Sequence, residues 1–234
     1  MKNNKVYGER IRQVFARYRK GISVEKAAVP TDPLIQLAGA VLGDEEGYET
    51  GAAALKRILE TMLDFNELRV STPVEIAAAT VPLLSSPVPR CEVLRVVLNG
   101  VYHREDIMDL GCLRQMKVKE ARAYLEGLPG MEPFACASVL LWSLEAHAIP
   151  VCGRFQALMR REQWVAPDAT RAEVQSFLEH QIKASDAHVF CAMMDRLVAE
   201  EGEKPARKSR RARRTPSVRS SSSEGESDRR SAAG

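Results

Sequence analysis

The sequence has no Cys-x-x-Cys pair, only four histidines, and aromatic side chains at just 6% of its 234 residues. Its five cysteines, Cys91, Cys112, Cys136, Cys152 and Cys191, are odd in number and widely spaced. That excludes a disulfide framework and fits reduced thiols in a cytosolic setting. His103, His147, His180 and His188 are scattered, with no second His or Cys at the spacing of a zinc site, so no metal and no cofactor is expected. Long hydrophobic runs are missing too. The longest uncharged apolar stretch, Pro133 to Leu144, is twelve residues, against roughly 20 for a membrane-spanning helix. Met1 to Lys20 is charged throughout, unlike a signal peptide. The expectation is a soluble intracellular protein with no membrane contact.

Apolar residues make up 45% of the chain, dominated by Ala, Leu and Val, which suits a helical core. The net charge of +3 conceals an asymmetry. Ten of the 34 Lys and Arg but only three of the 31 Asp and Glu lie beyond residue 203, leaving 24 basic against 28 acidic groups before it. Lys204, Arg207, Lys208, Arg210, Arg211, Arg213 and Arg214 fall within eleven positions, followed by a Ser-rich stretch to Gly234. Such a segment lacks the apolar surface to offset its ordering entropy, so 204–234 is expected to be a disordered basic tail that binds phosphate polyanions.

Residues 1–203 read as helices throughout. Tyr7, Ile11, Val14, Phe15 and Tyr18 mark one face of a helix over 6–19. Asp32-Pro33 is an N-cap and first-turn pair for a helix to Leu42, and Thr50 is expected to open the next, with Leu55, Ile58, Leu59, Met62 and Leu63 buried. Thr72-x-x-Glu75 and Thr170-x-x-Glu173 are capping boxes. Pro82, Pro87 and Pro89 read as breaks before a helix over 92–102, whose valines do not alternate as a strand's would. Residues 105–117 carry no clear pattern. A helix follows Cys152 to about Gln163, and Asp186 is expected to cap the last one, closed by Gly202.

The most informative stretch is Leu128 to Leu144. Val118 to Gly127 leads into Leu128-Pro129-Gly130-Met131, a tight turn, and Pro133 suits the first position of a new helix that is apolar almost all round and therefore buried. This helix, LPG turn, buried helix arrangement resembles the helix-hairpin-helix of endonuclease III-type DNA glycosylases. Asp32 to Leu42 is similar to that family's first core helix. The resemblance implies an all-α, two-lobed fold, with 28–135 as the central lobe and 1–27 joining 136–203 in the second. It places Leu128, Pro129, Gly130, Met131, Glu132 and Arg154 at a nucleic-acid interface.

The same alignment puts Phe134 at the family's catalytic lysine, Cys152 at its aspartate and Glu132 at the second glycine of the turn. Phenylalanine cannot form a Schiff base, and a thiol with an ordinary pKa near 8.5 would be mostly neutral. Glu132 would repel a phosphate, and Asp44-Glu45-Glu46 replaces a DNA-probing glutamine loop. Many relatives hold an iron-sulfur cluster on four close cysteines near the C-terminus; only Cys191 lies there. Three readings follow: a degenerate relative that binds DNA or a protein partner, in the cytoplasm or on the nucleoid, without excising a base; a working glycosylase using Asp44, Glu45 or Glu46; or a structural interaction module.

Overall fold

The computed structural model describes residues 4–20, 22 and 31–203. Among them are eleven α-helices and two short 3-10 turns, with no strand. The helices are α1 (Asn4–Tyr18), α2 (Pro33–Leu42), α3 (Tyr48–Thr61), α4 (Phe65–Val70), α5 (Pro73–Ala78), α6 (Pro87–Glu105), α7 (Val118–Glu126), α8 (Pro133–Trp142), α9 (Gly153–Arg161), α10 (Arg171–Gln181) and α11 (Ala187–Glu203). None is long and apolar enough to cross a membrane. The basic cluster from Lys204 to Arg214 and the Ser-rich stretch lie outside the described residues.

The caps form as their chemistry dictates. The Asp32 carboxylate accepts from the Leu34 and Ile35 amides, and Thr72 with Glu75 and Thr170 with Glu173 each close a reciprocal box. Elsewhere the boundaries differ from those expected. Gly47, not Thr50, precedes α3, and the helix ends at Thr61, which leaves Leu63 95% exposed instead of buried. Pro87 and Pro89 do not break the chain; they occupy the first turn of α6, where no intrahelical N–H is needed. The short α4 and a 3-10 turn at Gly111–Gln115 carried no pattern, and α11 begins at Ala187 and continues through Gly202.

At the centre is α2, buried at every position except Ile35 and packed against α3, α6 and α8. Its approach to α3 is close because two glycines meet. A Cβ on Gly51 would overlap the Gly39 carbonyl oxygen and stand 2.5 Å from the Gly43 nitrogen. Around this centre α4 and α5 pack on α6, and α7 packs on α8; a second group has α1 against α10 and α11, and α9 against the same two. Phe190 is fully buried there between Phe15 and Phe155, at ring separations of 5.7 and 6.2 Å.

In an open helix interior Gly→Ala stabilises by about 0.8–1 kcal/mol. At Gly51 the sign is expected to reverse: Gly51→Ala should cost on the order of 2–3 kcal/mol through overpacking, read as a lower urea midpoint at unchanged slope.

Candidate functional site

The hairpin turn sits on α6. Leu128 is buried, Pro129 lies against Gly100, and Gly130 has φ +73°, a left-handed conformation that glycine accepts readily. Its missing side chain brings Val96 and Val97 against the turn. Glu132 stands at the N-cap of α8 but does not cap it. Its carboxylate instead takes a bidentate pair of hydrogen bonds from Arg90 at 2.6 and 3.0 Å. The repulsive charge expected at this position is therefore compensated. Met131 and Glu132 are half-buried, whereas Pro129, Gly130 and Arg154 are exposed.

Phe134 and Cys152 are brought together, each only 4% exposed. They line one small cavity with Tyr48, Ser138, Trp142 and Asp195, whose volume of about 20 Å³ is room for about one water. Cys152 is the N-cap of α9, its sulfur accepting from the Phe155 amide at 3.4 Å. Burial pushes its thiol up to about 11, so at neutral pH it carries no charge that could replace a carboxylate's.

The acidic bend between α2 and α3 packs on the start of α9, with Gly47 beside the Cys152 sulfur. The Gly153 amide donates to the Asp44 carbonyl and the Arg154 amide to the Glu45 carbonyl, both at 2.9 Å, so the bend is docked on the first turn of α9. Asp44 is 3% exposed. Its Oδ2 is bonded by Arg171 and lies 3.5 Å from Arg90, while Arg171 also reaches Glu45 at 2.7 Å. Glu132, Arg90, Asp44, Arg171 and Glu45 thus form one alternating chain of charges from the hairpin through α6 and the bend to α10. Burial lifts the Asp44 carboxyl above the ordinary range, and the hydrogen bond from Arg171 only partly offsets this. Glu46, also buried, accepts from the Ser85 amide and hydroxyl at 2.9 and 2.5 Å. The three carboxylates considered as substitutes for an aspartate are all engaged in holding the bend.

Sequence reasoning missed Arg90 and Arg171, because nothing local marks a partner 46 or 127 residues away. It also missed Asp195. That side chain borders both the small cavity and a larger one of about 430 Å³ between α2, α3, α8 and α11. Its pKa is raised to about 6, first by the crowding of its surroundings and then by the charge of Glu49. The available signal was an aspartate one turn after Cys191, directly following the apolar run Val189 to Met194.

The cysteines lie on α6, the first 3-10 turn, α8, the cap of α9 and α11, an arrangement that does not fit a four-thiolate cluster near the C-terminus. Among the described residues no three His, Cys, Asp or Glu side chains gather as metal ligands.

Comparison with solved structures places this arrangement. A trapped covalent endonuclease III–DNA intermediate superposes with a TM-score of 0.57 at 15% identity, over 83% of this chain and 85% of that one. The chain has the fold of the endonuclease III-type DNA glycosylases. The Clostridium acetobutylicum 8-oxoguanine glycosylase/lyase bound to duplex DNA gives 0.60 at 13% identity, covering 86% of this chain and 71% of its own. The H. pylori 3-methyladenine DNA glycosylase bound to 1,N6-ethenoadenine gives 0.58 at 13%, covering 83% and 98%. No protein-family profile matches the sequence, and no curated protein matches it.

Removing one partner from a buried ion pair leaves an uncompensated charge. Arg171→Ala should lower stability by about 3 kcal/mol, and Arg171→Ala with Asp44→Ala should recover part of that loss in a urea double-mutant cycle. Asp195 should behave in the opposite sense. Its folded pKa lies above the unfolded value, so its stabilising contribution is full below about pH 4 and is lost as pH rises through about 6. Asp195→Asn should therefore raise the melting temperature at pH 7.5 and have little effect at pH 4, by differential scanning fluorimetry.

Proposed function

We propose that this protein is a relative of the base-excision repair glycosylases that binds DNA without excising a base. The observation that carries this reading is the cleft itself. The positions matched to the catalytic lysine and aspartate are Phe134 and Cys152, both buried in a packed cavity, and the acidic bend beside them is tied down by the chain of charges running from Glu132 to Glu45. A phenyl ring supplies no nucleophile for a Schiff base, and a neutral thiol does not stabilise positive charge developing on a sugar.

In this reading 28–135 forms one lobe and 1–27 joins 136–203 in the other. The exposed turn at Pro129 and Gly130 supplies one phosphate contact, and Arg154 a second. Most non-specific affinity comes from Lys204, Arg207, Lys208, Arg210, Arg211, Arg213 and Arg214, because the preceding 203 residues carry four more acidic than basic groups. The protein needs no iron-sulfur cluster, and it works in the cytoplasm on nucleoid DNA. The exposed fold that remains is also a surface for a protein partner.

Two measurements test this. Borohydride treatment with an abasic duplex should give no covalent protein–DNA band; a band that persists when other amines are blocked would overturn the assignment of Phe134. Salt titration should show the chain ending at Glu203 losing nearly all affinity for plain duplex. The residual slope of log K against log salt should be about 1 or 2, the value for one or two phosphate contacts. Equal slopes with and without residues 204–234 would move DNA binding into the folded body.

A further inference from the structure

The cavity of about 430 Å³ between α2, α3, α8 and α11 is not explained by DNA binding. Its volume is within the usual range for small-molecule sites, roughly 300–1,000 Å³. Two aromatic side chains, Tyr48 and Trp142, line it, and so do two carboxylates, Glu49 and Asp195. The cation at its edge, Arg196, is held by Glu200 at 2.9 Å, which offsets its charge. The wall is therefore both aromatic and negative. A π face attracts cations, and the attraction grows where water is excluded.

A second, independent observation comes from Gln36. It lines the same cavity, is 1% exposed, and neither its Oε1 nor its Nε2 has a hydrogen-bond partner among the described residues. Most buried amides are satisfied, so an orphan on a cavity wall calls for a partner that the described residues do not supply. It offers one donor and one acceptor side by side, which matches a carboxamide or the edge of a heterocycle.

We propose that this cavity binds a free, planar organic cation carrying an amide-like edge, with Asp195 and Glu49 opposing its charge, Tyr48 and Trp142 against its faces, and Gln36 paired to its edge. A ligand free in solution is favoured over a base held in a duplex. Tyr48, Trp142 and Asp195 are shared with the small cavity at Cys152, which is packed to about 20 Å³ and so has no room for a nucleobase. This inference does not rest on the DNA-binding reading, and its failure would leave that reading intact.

The test is isothermal titration calorimetry of the full chain at pH 7.5 with 1-methylnicotinamide, which is planar, permanently cationic and bears a carboxamide. Nicotinamide, its neutral counterpart, and spermidine, a flexible cation, serve as comparisons. Binding of 1-methylnicotinamide at least tenfold tighter than either is expected. Asp195→Asn should weaken it by tenfold or more. Gln36→Leu should do the same while leaving the melting temperature equal or higher, because it replaces an unpaired amide with an apolar side chain. That combination separates a recognition role from a structural one. No binding of 1-methylnicotinamide, equal binding of nicotinamide, equal binding of spermidine, or undiminished binding by Gln36→Leu would each overturn the proposal. So would binding only of a duplex carrying a cationic alkylated base.

Discussion

A carboxylate with 4% of its side chain exposed, flanked by two guanidinium groups from distant parts of the chain, is the interaction on which the cleft depends. Asp44 is expensive to bury alone, and its partners Arg90 and Arg171 are each half-enclosed as well. The chain of charges acts as a set, because removing any interior member takes a partner from each of its two neighbours. Its consequence is geometric. The bend following the central helix α2 is held down on the first turn of α9, and the hairpin is linked to the same network through Glu132. The bend, the hairpin and α10 are thereby fastened to one another by one set of charges.

The parts of the fold legible in the sequence were those set by local chemistry. Asp32 before Pro33, Thr72 with Glu75, Thr170 with Glu173, and the turn at Pro129 and Gly130 all depend on residues within four positions of one another. The misreadings share a cause. Pro87 and Pro89 look like breaks until tertiary packing supplies a helix for them to start, and Leu63 looks buried until α3 ends two residues earlier. The positions Phe134 and Cys152 could be singled out from the sequence and do converge on one cavity.

What the sequence could not show was how acidic residues on one segment would be answered elsewhere. Glu132 and Asp44 to Glu46 looked like a surface hostile to phosphate. In the fold, Arg90 and Arg171 offset the charges of Glu132, Asp44 and Glu45, Ser85 hydrogen-bonds Glu46, and all four carboxylates become structural ties. Asp195, which borders both cavities, lies in a helix of which the sequence marked only the cap and the end. Long-range pairing of single residues leaves no periodic trace, whereas a cap or a turn does.

The central claim is that the protein binds DNA without drawing a nucleotide out of the stack. Extrusion of a base is a prerequisite for chemistry on it in duplex DNA. The most direct measurement places 2-aminopurine, whose fluorescence is quenched by stacking, beside an abasic site in a duplex and follows its emission as saturating protein is added. The account predicts binding without a rise in fluorescence, and the same result with Arg171 and Arg90 both intact at low and moderate salt. A several-fold rise on binding would show that a base leaves the stack, and would contradict it.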